Sequence, residues 1–353
     1  MRWILVAAVL GLPSCREPDE AVTIAAVGDL LLQAPLQQQA FAVEGGYVSL
    51  WGDVVDLVTE ADVAYANLEG PMARGVDASG HDVPDPGKTF DRVVYTGFPR
   101  FNYHPSLADD LVASGFDVVS TANNHSLDRR ALGIDRTLEA LDAAGLAHAG
   151  TRHADGSGSW HAITDAGGLR IGWIACTYGT NGILDEAAQV LHCYEDEAAV
   201  LEAISTLRAE VDAVFVTPHW GVQYTEAPTD QDVALGRAFL DAGAVAVLGS
   251  HPHVLQPWER HVTPDGREGF VAYSLGNFVS DQTTLPRRTT IILELELKRH
   301  VGEVVVAAVR YVPLAMDRTG GLRLARIDCE PGFEDERAHV VALYGEEALV
   351  GCP

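Results

Sequence analysis

The residues of this chain that could do chemistry stand at six places where an apolar run ends. Each place offers carboxylate, amide or imidazole side chains, the groups that bind divalent ions or move protons. The six segments are Gly28-Asp29, Asn67-Leu68-Glu69, Asn123-Asn124-His125 with Asp128, His219-Trp220-Gly221, Gly249-Ser250-His251-Pro252-His253 and Leu275-Gly276-Asn277. Because ligands bind at the carboxyl ends of strands in open α/β sheets, these segments are expected to converge.

Side chains from these segments form a mixed set of predicted metal ligands: Asp29, Glu69, Asn124, His219, His251 and His253. Carboxylates, an amide and imidazoles together favour divalent Mn, Fe or Zn, whereas Mg and Ca prefer oxygen ligands alone. Two ions bridged by a carboxylate, about 3.5–4 Å apart, would activate a water and hold an oxyanion. We predict His125 as the proton donor to a leaving group, with Asp128 holding its other ring nitrogen. Asn67, Asn123 and Asn277 complete the predicted site.

Each segment also has an ordinary structural interpretation. Gly28-Asp29 is typical of a turn, Asn67-Leu68-Glu69 could cap a helix, and His219 could be a buried histidine that is satisfied by hydrogen bonds. His251 and His253, separated by one proline, are the strongest local signal. The shared position of all the segments after apolar runs favours the functional interpretation.

Runs rich in β-formers alternate along the chain with amphipathic stretches, a pattern that predicts an α/β protein with much parallel sheet. The predicted buried strands are Val22–Val27, Asp62–Ala66, Asp117–Thr121, Leu169–Ala175, Ala213–Thr217, Ala244–Leu248 and Gly269–Ser274. The predicted helices are Leu50–Thr59, Pro105–Ala113, Ile134–Ala144, Ala198–Glu210 and Asp230–Ala242. Thr290–Lys298 and Glu303–Tyr311 are predicted to form a hairpin at an edge of this sheet or of a second one. Ala73–Gly87 is predicted as a surface loop over the site or beside it.

The first fifteen residues, MRWILVAAVLGLPSC, combine one basic residue with a short apolar run that ends near a cysteine. This run is shorter than the about 20 residues that cross a bilayer, so we predict an export signal. Ser14 before Cys15 resembles a lipobox, which would make Cys15 the lipidated N-terminus; plain secretion and an uncleaved anchor are the alternatives. Residues 16–21 would then be a tether, 22–325 one domain, and 326–353 an acidic tail.

The other four cysteines are an even number, and disulfides persist in exported chains. Three pairings are open, and four separate thiols are the alternative. Proximity in the sequence favours Cys176 with Cys193 and Cys329 with Cys352.

The formal net charge of −26 excludes some classes of partner. It disfavours nucleic acid and attracts divalent cations. It also opposes polyanionic substrates unless the site is locally cationic, as bound metals would make it. The chain has no Gly-x-Ser-x-Gly elbow, no Gly-rich phosphate loop with Lys-Ser/Thr, and no Gly-x-Gly-x-x-Gly after the first strand.

The segments, in this order, resemble the hallmarks of the CapA family, named for poly-γ-glutamate capsule synthesis and related in fold to calcineurin-like metallophosphoesterases. The matching segments are Val27-Gly28-Asp29, Asn67-Leu68-Glu69-Gly70, Ala122-Asn123-Asn124-His125-Ser126-Leu127-Asp128, Pro218-His219-Trp220-Gly221, Gly249-Ser250-His251-Pro252-His253-Val254 and Ser274-Leu275-Gly276-Asn277-Phe278. The resemblance covers about residues 22 to 285. It implies a four-layer α-β-β-α sandwich with a dinuclear centre, in which the predicted ligands stand at ligand positions and His125 at that of the proton-donating histidine.

Two residues depart from the pattern that the resemblance implies. Leu31 stands where the wider superfamily has the histidine of an Asp-x-His motif, which leaves the first ion with fewer ligands. Gln223 precedes Tyr224 where the family usually has glutamate, so a negative charge is absent there.

The resemblance and the residues together suggest a metal-dependent hydrolase of the bacterial cell envelope, lipid-anchored on the periplasmic or extracellular face. Its expected substrate is a γ-glutamyl or other amide bond of an anionic surface polymer, or a phosphoester, and membrane synthase proteins are possible partners. The alternative is a non-catalytic lipoprotein that binds the nascent polymer or supports a synthase. Retention of His125 and Asp128 favours catalysis, because binding alone needs no proton donor.

Overall fold

The computed structural model describes residues 21–351 of the chain. The strands are β1 (Val22–Leu30), β2 (Val63–Leu68), β3 (Val118–Ser120), β4 (Ala147–Ala149), β5 (His161–Ala166), β6 (Leu169–Thr177), β7 (Ala213–His219), β8 (Ala246–Leu248), β9 (Trp258–Val262), β10 (Glu268–Ala272), β11 (Asn277–Val279), β12 (Thr289–His300), β13 (Glu303–Asp317) and β14 (Arg323–Arg326). The helices are α1 (Ala34–Ala42), α2 (Val55–Thr59), α3 (Ser106–Ala113), α4 (Arg130–Ala144), α5 (Glu197–Leu207), α6 (Asp230–Ala242), α7 (Leu285–Arg288) and α8 (Glu334–Tyr344).

The described strands form two sheets with parallel centres. The first runs in the order β14-β13-β12-β1-β2-β3-β4, and β11 pairs in parallel with the end of β1. The second runs in the order β5-β6-β7-β8-β10-β9. Strands β1 to β4 are mutually parallel, as are β6, β7, β8 and β10, and antiparallel strands form the outer parts. The parallel strands are apolar throughout because both of their faces are buried.

Three apolar clusters separate four layers. The central cluster lies between the two sheets, where the rings of Tyr65 on β2 and Trp173 on β6 stack with centroids 5.5 Å apart. A second cluster packs the outer face of the first sheet against α1 to α3, and a third packs the outer face of the second sheet against α5 and α6. The arrangement is the predicted α-β-β-α sandwich.

Local signals set several of the boundaries. Thr229 is the N-cap of helix α6, where its side chain and Asp232 form a capping box. Gly145 is the C-cap of helix α4 and adopts φ 74°, in the left-handed region. The polar segments reach the same edge of their sheet because each helix returns the chain to the start of the next parallel strand.

Two predicted elements need correction. The helix predicted over Leu50–Thr59 is α-helical only from Val55, and Gly46–Leu50 and Gly52–Val54 form 3-10 turns. Glycine and β-branched residues weaken a longer helix there. The hairpin β12–β13 is not at an edge, because β1 pairs with one side of it and β14 with the other. Its strands carry apolar residues on both faces where they are covered.

The Cys176–Cys193 disulfide is confirmed, and it closes the loop that follows β6. Cys352, the signal segment with Cys15, and residues 16–20 of the tether lie outside the described residues. After residue 325 the chain forms α8, whose Tyr344 ring stacks on Trp258 with centroids 4.1 Å apart. No helix in the described part of the chain combines the length and apolar character that crossing a bilayer requires. Ala73–Gly87 forms a loop in which the carbonyl of Val76 accepts a bond from the Arg129 side chain, beside the site.

Candidate metal centre

The end of β1 is fixed by a close approach of two backbones. The N–H of Asp29 donates to the carbonyl of Gly276 over 2.9 Å, and Asp29 pairs with Asn277 of β11. A Cβ at position 28 would lie 1.9 Å from the Gly276 oxygen, so only glycine fits there. Gly28 therefore allows Asp29 and Asn277 to meet at the carboxyl end of the sheet.

The second sheet supplies the imidazoles from the ends of β7 and β8. His219 is the last residue of β7, and His251 and His253 lie in the loop after β8. His251 has φ 97° and His253 has φ 57°, both in the left-handed region. Such conformations cost of the order of 1–3 kcal/mol each for non-glycine residues and concentrate at functional sites. The surrounding fold therefore holds both side chains in place against local preference.

Asp29, Glu69 and His253 form the first group of converging ligand atoms. The Nδ1 atom of His253 lies 3.1 Å from Asp29 Oδ2 and 3.0 Å from Asn277 Oδ1. The Nε2 atom of the same ring lies 3.7 Å from Glu69 Oε1. A hydrogen on Nδ1 would thus be bound by these oxygens, which leaves Nε2 to serve as a ligand.

Glu69, His219 and His251 form the second group, and Asn124 joins it. His219 Nε2 lies 3.0 Å from Asn124 Oδ1, 3.2 Å from His251 Nδ1 and 3.6 Å from Glu69 Oε1. The other nitrogen, Nδ1, lies 2.9 Å from Ser250 Oγ. One nitrogen of His219 is therefore held by its surroundings while the other faces three further donor atoms.

Glu69 belongs to both groups, so it would be the carboxylate that two bound ions share. Its side chain is fully buried, and neither carboxylate oxygen has a hydrogen-bond partner among residues 21–351. Burial, followed by the negative charges of Asp29 and Asp128, raises the pKa of Glu69 well above its usual range. A buried carboxylate is stable when it is paired or coordinates a metal, so these residues fit a pair of divalent ions.

His219 and His251 are held neutral, the form that coordinates metals. Burial lowers the pKa of His219 well below its usual range, and the nearby His251, His253 and His125 lower it further. Burial likewise lowers the pKa of His251 to about 3. The mixed N/O donor set suits the borderline ions Mn, Fe and Zn better than Mg or Ca.

The predicted proton donor stands beside the second group. His125 Nδ1 lies 2.7 Å from Asp128 Oδ2, and both side chains are buried. Asp128 Oδ2 also accepts the N–H of Phe101 over 2.6 Å. The Phe101 ring packs edge-on against the His125 ring with centroids 4.7 Å apart. Asp128 thus orients the imidazole and leaves Nε2 to exchange a proton.

The three predicted asparagines hold the ligands rather than extend them. Asn67 Nδ2 donates to Asp29 Oδ1 over 2.7 Å. Asn123 Nδ2 donates to the carbonyl of Leu68 over 2.7 Å, and its Oδ1 accepts the N–H of His125 over 3.1 Å. Asn277 also donates to the carbonyl of His253 over 3.2 Å. The structure therefore brings together every predicted site residue from Asp29 to Asn277.

Three contributors were missed in the sequence. Tyr178 packs its ring on that of His251 with centroids 4.4 Å apart, and Asn181 Oδ1 accepts from Asn124 Nδ2 over 3.3 Å. Ser250 supports His219, as described above. Tyr178 directly follows β6, so the same rule that found the other segments would have found it. Asn181 lies farther along the loop and carries no such signal.

Leu31 and Gln223, the two residues that depart from the family pattern, lie in different surroundings. Leu31 is buried in the outer apolar cluster of the first sheet, and its N–H donates to the carbonyl of Val279 over 3.0 Å. Gln223 is exposed, next to Tyr224, whose ring centroid lies 6.0 Å from that of His253. Leu31 therefore contributes to packing of the outer cluster, and Gln223 leaves the surface beside Tyr224 without a negative charge.

Comparisons with known proteins identify the family of this chain. Residues 23–282 match the family "Bacterial capsule synthesis protein PGA_cap". The chain is 31% identical over 293 residues to the "PGA biosynthesis protein CapA" of Bacillus subtilis (strain 168), covering 80% of this chain and 69% of that protein. It is 25% identical over 295 residues to the "Capsule biosynthesis protein CapA" of Bacillus anthracis, covering 81% and 66%. The chain thus spans about two thirds of the length of these relatives.

A solved structure supports the fold. The NAD nucleotidase (NadN) of Haemophilus influenzae aligns with a TM-score of 0.50 and 10% identity, covering 94% of this chain and 57% of that one. At this identity the likeness concerns the fold alone, and it agrees with the α-β-β-α sandwich that the two sheets and their helices form. Together with the family match over residues 23–282, these findings show that the chain belongs to the PGA_cap family of bacterial capsule synthesis proteins.

Proposed function

We propose that this chain is a metal-dependent hydrolase of capsule or surface-polymer synthesis, which cleaves a γ-glutamyl amide or a phosphoester bond. The names of its relatives, for PGA and capsule biosynthesis, support the polymer. The observation that carries the enzyme assignment is Glu69, a buried carboxylate without hydrogen-bond partners that two ligand groups share. That arrangement is what a bridged pair of ions requires.

The chemistry divides between the ions and the chain. Divalent ions bound by the two groups would supply Lewis-acid activation of water and of a carbonyl or phosphoryl oxygen. His125 gives a proton from Nε2 to the departing nitrogen or oxygen, and Asp128 stabilises the imidazolium before that transfer. Tyr178 and Phe101 cover the rings of His251 and His125 and exclude water from one side of each.

The location belongs to the same proposal. The segment 1–15 would direct export, and a lipid on Cys15 would anchor the protein at the periplasmic or extracellular face of the envelope. There it would meet an anionic surface polymer and the membrane synthase that makes it. Its charge of −26 disfavours nucleic acid as an alternative partner.

A polymer-binding scaffold without turnover is the second candidate. Leu31 favours it, because a buried leucine stands where a further imidazole ligand would strengthen the first ion position. A binding protein needs the charge of its ions but not a proton donor, so His125 separates the two candidates.

The test is elemental analysis of the purified full chain, with hydrolysis of phosphodiester and poly-γ-glutamate measured on the same samples. We expect about two Mn, Fe or Zn ions per chain. In His125→Ala the metal content stays unchanged while turnover falls by about 10²–10⁴-fold, the usual contribution of a general acid.

His81→Ala is the matched control, because that side chain is 76% exposed and lies in the loop beside the site. It should change neither metal content nor turnover. Metal binding with no hydrolysis of either substrate by the unaltered chain would leave the scaffold as the better account. Absence of metal after supplementation would overturn both ion positions.

A further inference from the structure

The chain is strongly acidic, which opposes the binding of an anionic substrate. Lys and Arg number 24 against 50 Asp and Glu, and Asp29, Glu69 and Asp128 lie buried in the site. An anionic polymer or phosphoester would be repelled unless a cation meets it at the entrance. Binding of such a substrate would therefore require a cationic side chain beside the site.

Arg287 lies next to the site, because Asn277 ties its backbone to the ligand loop. Asn277 Nδ2 donates to the backbone carbonyl of Arg287 over 2.9 Å. The Oδ1 atom of the same asparagine lies 3.0 Å from His253 Nδ1. One side chain thus separates the backbone of Arg287 from a ligand of the first group.

The guanidinium of Arg287 lies over an aromatic ring. Its Cζ is 3.4 Å from the ring centroid of Tyr224. Tyr224 is anchored in turn, because its N–H donates to the carbonyl of Pro252, between His251 and His253, over 2.8 Å. The stacked pair therefore stands at the rim of the metal centre and is held there from both sides.

Arg287 has no carboxylate within ion-pairing distance among residues 21–351, unlike its neighbours. Arg288 is paired with Glu336 at 2.6 Å, and Arg318 is paired with Asp281 at 2.6 Å. The N–H groups of a guanidinium lie in its own plane, and contact with an aromatic face leaves them free to form two parallel bonds to one anion. The neutral Gln223 next to Tyr224 leaves this cation uncompensated from that side.

We infer that Arg287, supported by Tyr224, forms an anion-binding subsite beside the first ion position. It takes a carboxylate or phosphate group of the substrate and so places the bond to be cleaved over the ligand groups. The inference rests on the proposed function for the identity of that bond. Binding of the anion itself does not depend on turnover.

The subsite is tested by fluorescence anisotropy on the full chain with a labelled oligo-γ-glutamate. The same oligomer with its α-carboxylates converted to amides is the uncharged comparison, and inorganic phosphate is the competitor. Affinities are measured for the unaltered chain, Arg287→Gln and Arg287→Lys, with Mn present and after chelation.

Arg152→Gln is the matched control. Arg152 also stacks on a ring, that of Trp160 at 4.4 Å, but its Nε donates to the carbonyl of Ala188 and it contacts no residue of the site. The substitution removes the same charge and the same kind of stacking, so any effect of net charge appears in both variants.

We expect Arg287→Gln to weaken binding of the carboxylated oligomer about tenfold to a hundredfold, as loss of charge-assisted hydrogen bonds does. Arg287→Lys should recover part of the affinity, and Arg152→Gln should bind as the unaltered chain does. Metal content should not change. If only the inhibition constant of phosphate responds to Arg287→Gln, the subsite takes the phosphate of a phosphoester.

Equal affinities of the unaltered chain and Arg287→Gln for both anions would overturn the subsite, and so would an equal loss for the amidated oligomer. This outcome is distinct from failure of the proposed function, which shows as missing metal or missing turnover in the unaltered chain. An Arg287-dependent affinity without turnover would support the subsite on a polymer-binding protein.

Discussion

The two ligand groups differ in composition although they share Glu69. The second has two imidazoles, His219 and His251, with the amide of Asn124, whereas the first has only Asp29 and the imidazole of His253. Leu31, which stands where the resemblance to the wider superfamily implies a further imidazole, packs into the outer apolar cluster. Nitrogen ligands raise affinity for the later divalent metals. We therefore expect the two positions to bind ions with unequal strength.

The origin of the difference lies in the sheets. The first sheet supplies the carboxylates, from the ends of β1 and β2, and the second supplies all three imidazoles. Glu69 is the point where the two contributions meet, so it carries the coupling between the positions. Four variants probe this comparison. Glu69→Gln changes the shared carboxylate, His253→Ala and His219→Ala each remove an imidazole of one group, and Leu31→Ala removes a side chain that serves packing.

Glu69→Gln should have the largest effect, the loss of both ions, because a single carboxylate joins both groups. Elemental analysis of the purified variant measures this directly. Without metal, the variant should unfold at a higher temperature than the metal-free parent, since a neutral amide replaces an ionisable carboxyl whose charged form burial and Asp29 disfavour.

Glu60→Gln is the control, because Glu60 is exposed and the change in charge is the same. It should keep about two ions. Retention of one tightly bound ion by Glu69→Gln would show that the groups are independent, against the bridging role.

The next effect in size separates the groups. His253→Ala should leave the second position filled and His219→Ala the first, so each variant keeps about one ion. The ion that remains in His253→Ala should bind about tenfold or more tightly than the one that remains in His219→Ala, because more nitrogen ligands surround it.

Calorimetric titration with Mn or Zn measures both dissociation constants. Equal constants would show that Leu31 does not impoverish the first position, and a reversed order would contradict the ligand count.

Leu31→Ala should leave the metal content unchanged, the smallest of the expected effects on the site. It should instead lower the free energy of unfolding by about 2–5 kcal/mol. The side chain is only 4% exposed and contacts the outer cluster rather than the ligands. Denaturant unfolding measures the loss, and Leu184→Ala, at a site that is 75% exposed, is the control with little expected change. Altered metal content in Leu31→Ala would place this residue in the site after all.

Much of the fold and of the site could be predicted from the sequence. Parallel strands buried on both faces are apolar runs, and polar residues that interrupt them at their carboxyl ends stand out. Short or polar strands were missed, among them β4, β5 and β9, because a three-residue strand has no periodicity and an edge strand has little apolar character. The hairpin β12–β13 was recognised but placed wrongly, since strand order is set by contacts between distant segments.

The sequence by itself determined which residue types stand at the strand ends, and hence a mixed carboxylate, amide and imidazole site. Only the tertiary structure decided that Glu69 joins two groups and that Arg287 lies over Tyr224 beside them. The reason is physical. Ligand types follow from local chemistry, but distances of a few ångströms between residues far apart in the chain depend on how two sheets pack face to face.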